Sequence, residues 1–352
     1  MKHTLIYVLY DGMSNSVFTG QVLSPLQEKL RAGTYHKIII ISFEKQSYSP
    51  EHITQFVPAT PGLQTFVFKK LPFLGTLSLY PAIFQLRKFL HTQPNHDLIA
   101  RGPLAGFICK KSLQPSTTSL TIQARGLLAA EYEILCSAAQ NSLKRWLHAT
   151  RKKQFLNLEK KTYCAAPLVK IEAVSTALKD HLVEIFKVET NAISIAHQDI
   201  PVHIQPALLT SWRAEIRTLL GIPTNAKVYC YNGSIKPWQC PDKVIEFFNR
   251  ELAKDINAFL LVLTQDQAAF EHELKKRGTA QTTYTVCTVP HNLIYHYLAA
   301  CDVGLIFRQP HIVNWTSRPT KVLEYQAAGL PIVHNGTVAW IAQLPNTTEV
   351  VV

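Results

Sequence analysis

Short apolar runs alternate with longer amphipathic segments along the whole chain. Between the first two runs, Val22, Leu26 and Leu30 recur at four-residue spacing, as one face of a helix requires. Alternation of this kind predicts parallel β-sheets whose strands are joined by crossover helices. In the first half of the chain, the runs predicted as strands are 4–10, 37–43, 65–68, 97–100, 119–124 and 169–174.

The second half of the chain repeats this pattern. Its predicted strands are 228–231, 259–263, 284–289, 303–307 and 331–333, and its predicted helices lie near 241–254, 266–277, 292–300 and 319–328. Two such series in 352 residues predict an α/β protein with two doubly wound, Rossmann-like domains that face each other across a cleft. Pro201 and Pro206 interrupt the pattern, which favours domains at 1–204 and 205–352.

An excess of positive charge narrows the choice of partners. The chain has 36 Lys and Arg against 24 Asp and Glu, a net charge of +12, which favours phosphorylated ligands, an acidic membrane surface or nucleic acid. We recognise no nucleic-acid-binding module, so nucleic acid is not an expected partner. The longest mostly apolar stretch, 71–84, is interrupted by prolines and a glycine and is too short to cross a bilayer.

Cysteine and histidine spacing argues against metal sites. The seven cysteines form no Cys-x-x-Cys pair, and an odd number cannot all pair within one chain. We therefore expect a reducing, cytoplasmic location without a zinc site or a disulfide framework. His291, His296 and His311 match no metal-binding spacing either, so no metal is predicted.

The most informative stretch of the chain is 315–331. Ser317 is a candidate N-cap with Pro319 just inside the helix start, and Gly329 with Pro331 is a stop signal. A helix N-terminus binds anions, and Arg308 and Lys321 add positive charge near it. Glu324, one turn further on, can accept hydrogen bonds from a sugar diol. A capped surface helix with solvated charges is the alternative interpretation.

This stretch resembles the C-terminal donor-site motif of the glycosyltransferase group 1 family, retaining enzymes of the two-domain GT-B type. The resemblance implies that Glu324 binds the ribose of the nucleotide and that the helix start binds the diphosphate. Thr316 stands where many members have a glutamate that touches the donor sugar. The donor-binding residues expected in this stretch are Thr316, Ser317, Pro319, Thr320, Lys321 and Glu324.

A second resemblance to the family lies at 231–239, directly after the first predicted strand of the second domain. It is similar to the family's glycine-containing phosphate loop, in which a glycine lets the backbone approach a phosphate closely. The implied donor-binding residues are Gly233, Ser234, Trp238 and Gln239, with Lys236 close to the diphosphate. The strand end at Val289 occupies the place where the family's backbone contacts the nucleobase.

Two features of the first domain also resemble the family. Gly12 lies in the loop after the first strand, which in the family is near the donor diphosphate and the acceptor. Arg101 ends a later strand, and Arg125 ends the next in the same way. An arginine at such a position can stabilise negative charge on a leaving diphosphate, whereas an ordinary salt bridge is the alternative.

Positive residues also surround apolar side chains in two segments of the first domain. The segment 144–161 contains seven Lys and Arg and the single acid Glu159, with Leu143, Trp146 and Leu147 offering an apolar side. The segment 66–90 has four Lys and Arg among many apolar residues. A basic amphipathic segment can lie on an anionic bilayer, but an ordinary solvated helix fits equally well.

Together these features predict a retaining transfer of a sugar from a UDP- or GDP-type nucleotide sugar to a hydroxyl of a glycan or lipid-linked glycan. Arg101, Lys236 and Arg308 are the expected catalytic residues, and no cofactor or metal is implied. The family generally continues beyond the point where this chain reaches Val350, so a truncated C-terminal end without the closing helix is expected. The alternative is a non-catalytic nucleotide- or glycan-binding protein on the same fold.

Overall fold

The computed structural model describes residues 3–15, 17–71, 75–138, 141–164, 166–196 and 202–351. The chain folds as two compact units, Met1–Gln198 and Asp199–Val352. Pro201, one of the two prolines expected to mark the domain boundary, lies outside the described residues. Pro206, the other, is the first residue of a helix, a position that suits proline because its missing N–H would have no partner there.

A parallel sheet of seven described strands forms the centre of the first unit. The strands are β1 (Thr4–Leu9), β2 (Lys37–Glu44), β3 (Leu63–Lys69), β4 (His96–Arg101), β5 (Thr117–Ala124), β6 (Val169–Ala173) and β7 (Ile193–Ile195), in the order β3-β2-β1-β4-β5-β6-β7. Every residue of the central strand β1 is buried, because helices cover both faces of a parallel sheet.

The helices of the first unit connect these strands. They are α1 (Ser24–Arg31), α2 (Pro50–Phe56), α3 (Leu79–His91), α4 (Gly102–Ser112), α5 (Leu128–Ala138), α6 (Ser142–Tyr163) and α7 (Thr176–Phe186). A π-helical turn at Thr19–Leu23 leads into α1, and short 3₁₀ turns lie at Gly75–Ser78 and Thr190–Ala192.

The second unit has a parallel sheet of six described strands. They are β8 (Lys227–Asn232), β9 (Ala258–Leu263), β10 (Tyr284–Cys287), β11 (Val303–Ile306), β12 (Ile332–His334) and β13 (Thr347–Glu349), in the order β10-β9-β8-β11-β12-β13. The helices are α8 (Pro206–Leu219), α9 (Pro241–Lys254), α10 (Gln267–Lys276), α11 (Ile294–Ala299), α12 (Ile312–Trp315) and α13 (Thr320–Ala327). Its 3₁₀ turns are Pro237–Gln239, Gln281–Thr283, His291–Leu293 and Ile341–Gln343.

The prediction of two doubly wound α/β domains is confirmed, and every strand predicted from the apolar runs is present. Two strands were not predicted. β13 has the sequence Thr-Thr-Glu, which contains no apolar residue, and β7 has only three residues. β10 ends at Cys287 and not at the predicted Val289.

One contact in the second unit holds α13 against the sheet. The ring of Tyr325 lies over Gly304, where a Cβ atom would be 2.6 Å from the ring. The Tyr325 hydroxyl accepts a hydrogen bond of 2.9 Å from the backbone N–H of Asn232 and lies 3.2 Å from the carbonyl oxygen of Leu305. Because these partners belong to β8 and to β11, one side chain fixes α13 to two neighbouring strands.

Candidate functional site

The first residue of helix α13 lies three positions after Ser317, the predicted N-cap. Thr320 is its first residue and Pro319 takes the N-cap position. The prediction that Ser317 caps this helix is wrong, because the N-cap position falls two residues later, at Pro319. The Ser317 hydroxyl donates a hydrogen bond of 2.8 Å to the carbonyl of Asn314 instead. Ser317 therefore closes the turn that follows α12, and α13 begins without a side-chain cap.

Glu324 of α13 is buried beside the carboxyl end of β8. Its Oε2 accepts a hydrogen bond of 2.6 Å from the side-chain amide of Asn232. Oε1 has no hydrogen-bond partner in the described part of the chain. Burial raises the pKa of Glu324, while the neighbouring Lys321 and His291 and the bond from Asn232 act in the opposite direction. The carboxylate is thus held in place on one side and open on the other.

The loop after β8 is held in a fixed shape by Tyr231 and Gln239. The side chain of Gln239 accepts from the backbone N–H of Ser234 at 3.2 Å and donates to the Ser234 hydroxyl at 2.9 Å. The Tyr231 hydroxyl donates to the Ser234 carbonyl at 2.8 Å. A Cβ atom on Gly233 would lie 2.6 Å from the Gln239 side-chain oxygen. A side chain at 233 would therefore displace the Gln239 and Tyr231 side chains that shape the loop.

Arg308 follows β11 and is buried, with only 8% of its surface exposed. Among the described residues, its guanidinium has one hydrogen bond, from Nη1 to the carbonyl of Phe307 at 2.9 Å, and no carboxylate partner. Burial lowers its pKa. The backbone of Arg308 is fixed by Asn335 and Thr337, which bond to its N–H and its carbonyl oxygen. A buried cation without an anion beside it suits an anionic ligand.

The other predicted donor residues lie in different surroundings. Lys236 is exposed, and its ammonium lies 5.2 Å from the centre of the Trp238 ring. The carbonyl of Trp238 accepts from the backbone N–H of Gln309, which joins the loop after β8 to the loop after β11. Val289 packs partly against the core. Thr316 is fully buried, and its hydroxyl donates to the carbonyl of Ile312 at 2.8 Å.

In the first unit, Gly12 and Arg101 lie at the carboxyl ends of the neighbouring strands β1 and β4. The Nε of Arg101 forms an ion pair of 3.2 Å with Asp11, and Nη2 donates to the side chain of Gln21 at 2.7 Å. Gly12 has a φ of +89° and leaves room for the buried Glu44, whose carboxylate accepts from the N–H of Met13. The salt bridge weighed as an alternative for Arg101 is present, and it joins a buried arginine to an exposed aspartate.

Comparison with protein-family models and with curated protein sequences finds no match. Comparison with solved structures finds several. Sucrose-phosphate synthase from Thermosynechococcus elongatus has 14% identity and a TM-score of 0.71 over 99% of this chain and 86% of that chain. WaaG, a glycosyltransferase involved in lipopolysaccharide biosynthesis, has 15% identity and a TM-score of 0.64 over 98% and 85%. A UDP-forming trehalose-phosphate synthase from Burkholderia xenovorans has 9% identity and a TM-score of 0.62 over 99% and 88%.

The chain has the GT-B fold. In the second Rossmann-like unit of this GT-B fold, the carboxyl ends of β8 and β11 and the start of α13 bring together many of the predicted residues. Gly233, Ser234, Arg308, Lys321 and Glu324 all lie at this edge of the sheet. The assignment of these residues to donor binding stays a prediction.

Several polar residues of the site were not predicted. Asn232 lies within the 231–239 motif but was not among its predicted site residues, and it holds Glu324, although the two are 92 positions apart in the chain. Asn335 and Thr337 support Arg308 from the loop after β12. Asn232 adjoins Gly233 and so had a sequence signal, whereas Asn335 and Thr337 had none. Within the described ranges, no cluster of three or more His, Cys, Asp or Glu residues could hold a metal ion.

A buried carboxyl group of the first unit predicts a pH-dependent stability. Glu159 of α6 accepts a hydrogen bond of 2.6 Å from the N–H of Leu128 at the start of α5. Burial raises its pKa from 4.5 to about 7, although the amides of Leu128 and Ala129 act in the opposite direction. The folded state then keeps a proton that the unfolded chain releases. Its stabilising contribution is complete below about pH 4.5 and is lost as the pH rises through about 7.

Replacing Glu159 by Gln, which stays neutral, is expected to remove this dependence. The free energy of unfolding at pH 8 should rise by about 2–3 kcal/mol over the wild type, and the difference should vanish near pH 4. Denaturant unfolding of both proteins across this pH range measures it. A difference that stays constant with pH would contradict the assignment.

Proposed function

We propose that the protein transfers a sugar from a nucleotide diphosphate sugar of the UDP or GDP type to a hydroxyl of a glycan or lipid-linked glycan, with retention of the anomeric configuration. One observation carries the proposal: two buried charged residues lie at the same edge of the second sheet. Arg308 has no described carboxylate partner, and Glu324 has one carboxylate oxygen without a described hydrogen bond. A cation and a carboxylate so placed suit a diphosphate and a ribose diol, the two ends of such a leaving group.

Each group at this edge has a role in the proposal. Glu324 accepts hydrogen bonds from the ribose hydroxyls through its open Oε1, while Asn232 keeps the carboxylate oriented. Arg308 and Lys236 neutralise the diphosphate, together with the first amides of α13 and Lys321. The tight backbone at Gly233 and Ser234 lets the loop approach a phosphate closely.

Catalysis in this proposal rests on stabilising the leaving group. The bond between the anomeric carbon and the diphosphate oxygen breaks with its electron pair moving to the diphosphate, and the acceptor oxygen bonds to that carbon as its proton passes to the departing diphosphate. Negative charge grows on the diphosphate, so fixed cations lower the barrier. Arg101 is proposed to act on phosphate or on an acidic acceptor group, and no metal ion is assigned a role.

A nucleotide panel tests the proposal. We expect either UDP or GDP, with its sugar conjugates, to raise the melting temperature of the protein, and ADP to have little effect, because a ligand that binds only the folded state stabilises it. Release of that nucleotide from its sugar conjugate in the presence of acceptor glycans then reports turnover.

The outcomes separate the two function classes. Stabilisation with acceptor-dependent nucleotide release supports the transferase. Stabilisation without any turnover favours the non-catalytic nucleotide-binding protein. If no nucleotide stabilises the protein, the proposal is overturned. If transfer occurs with inversion of the anomeric configuration, the retaining chemistry is overturned.

A further inference from the structure

The first turns of α6 project from the first unit with large apolar side chains on their surface. Leu143, Trp146 and Leu147 are all exposed, Trp146 by 63%. The spacing of these three positions places them on one face of the helix. Single exposed apolar residues are ordinary on a protein surface, but a cluster of this size is not.

A second apolar face lies on α3 and on the 3₁₀ turn before it. Tyr80 and Phe84 are one helical turn apart and are 63% and 71% exposed, and Leu77 is exposed beside them. Arg87 and Lys88 continue the same face one turn further on. The opposite face of α3 is buried through Leu79, Ala82, Leu86 and Leu90, so the exposed face is not part of the core.

These two faces form one surface. A Cβ atom on Gly75, in the turn that leads into α3, would lie 3.0 Å from the side-chain oxygen of Gln154 of α6. Gln154 lies two turns after Leu147 on the same face of α6. The α6 stripe that begins at Leu143 therefore runs directly into the turn that carries Leu77. We call the exposed residues Leu77, Tyr80, Phe84, Leu143, Trp146 and Leu147 the apolar surface.

Charge on the two helices that carry the apolar surface is mostly positive, and the nearby acid Glu133 of α5 pairs with Lys152 of α6. Neither α3 nor the stretch 142–158 of α6 contains an acidic residue. The first turn of α6 carries Lys144 and Arg145 and no acid, although a helix dipole favours the opposite sign there. Lys153 and Lys88 are exposed close to the apolar stripes. Lys144 and Arg145 do not stabilise the start of this helix, so their position there points to an anionic partner.

From this combination we infer that the apolar surface docks the first unit on a bilayer that contains anionic lipids. Aromatic and aliphatic side chains surrounded by Lys and Arg suit the boundary between headgroups and acyl chains, where the rings are buried and the cations meet phosphate groups. The proposed contact is peripheral; no described helix is long and apolar enough to span a membrane. The inference does not depend on sugar transfer.

Vesicle binding by the full chain tests the inference. The protein is sedimented with vesicles of phosphatidylcholine alone or mixed with phosphatidylglycerol. We expect binding to the mixed vesicles only, weakening as salt is added. Replacing Tyr80, Phe84 and Trp146 together by Ser should lower the partition coefficient more than about tenfold. Each of Lys144→Gln and Lys153→Gln should lower it about fivefold.

Ile256→Ser is the matched control, because Ile256 is 87% exposed and belongs to the second unit. It should bind vesicles as the wild type does, and circular dichroism and melting temperature should show that all variants fold. Equal binding by the triple variant and the wild type would overturn the inference. So would binding to RNA or to a protein without binding to anionic vesicles. The vesicle result does not affect stabilisation by nucleotides, so failure of the membrane inference can be told apart from failure of the transferase proposal.

Discussion

Replacing Arg308 by Met is expected to weaken the binding of nucleoside diphosphates by about 30- to 100-fold, the scale of losing hydrogen bonds from a charged donor to phosphate oxygens. The same change should leave the free energy of unfolding equal or higher. The wild-type guanidinium is buried with one backbone carbonyl as its described partner, and burying a charge without an opposite charge costs free energy. Isothermal titration and denaturant unfolding measure the two effects.

Two controls make the Arg308 experiment specific. Arg308→Lys keeps the charge but loses the planar fork of donors, so its affinity should lie between those of the wild type and Arg308→Met. The nucleoside without phosphate should bind all three proteins equally. An equal loss for nucleoside and diphosphate, or a clear loss of stability in Arg308→Met, would show that Arg308 supports the fold and not the phosphate.

Replacing Glu324 by Ala should weaken nucleotide binding by about 1–3 kcal/mol, or roughly 5- to 160-fold. The proposed reason is the loss of hydrogen bonds from the ribose hydroxyls to the open carboxylate oxygen. Binding by the wild type should also weaken toward acid pH, since a protonated carboxyl accepts fewer hydrogen bonds and burial raises the pKa of this group. Titration calorimetry with the stabilising nucleotide measures both effects.

The 2′-deoxy form of the nucleotide separates a ribose contact from a general effect. It should bind the wild type more weakly than the ribonucleotide does, whereas Glu324→Ala should bind the two forms alike. Glu324→Gln keeps an oxygen for Asn232 and so preserves the local packing. If Glu324→Ala still distinguishes the two nucleotide forms as the wild type does, Glu324 does not contact the 2′-hydroxyl.

The sequence was sufficient for the fold because its strands are buried on both faces. A strand such as β9, in which every residue is apolar, needs no tertiary information to be recognised. β13 was not predicted, since its Thr-Thr-Glu sequence becomes a strand only through pairing with β12. Strand pairing at a sheet edge is a property of the partner as much as of the segment itself.

The site was only partly predictable, for a related reason. Glu324, Arg308 and Gly233 stand in local motifs, whereas the support from Asn335 and Thr337 depends on the meeting of two distant loops. Ser317 shows the opposite error. Its side chain fits a helix cap by local preference, but it lies in the turn that ends α12, where it bonds to the Asn314 carbonyl, and α13 begins too late for Ser317 to cap it.

The packing of Tyr325 on Gly304 also limits how this protein can vary in evolution. Any residue other than glycine at 304 would place an atom against the ring, and any residue other than tyrosine at 325 would leave the N–H of Asn232 without its hydroxyl partner. A substitution at either position alone would therefore destabilise the contact between α13 and β8, the strand that contains Asn232. The two positions should therefore change together or not at all. Because Glu324 precedes Tyr325 directly, conservation of this core contact should also keep the Glu324 carboxylate in place.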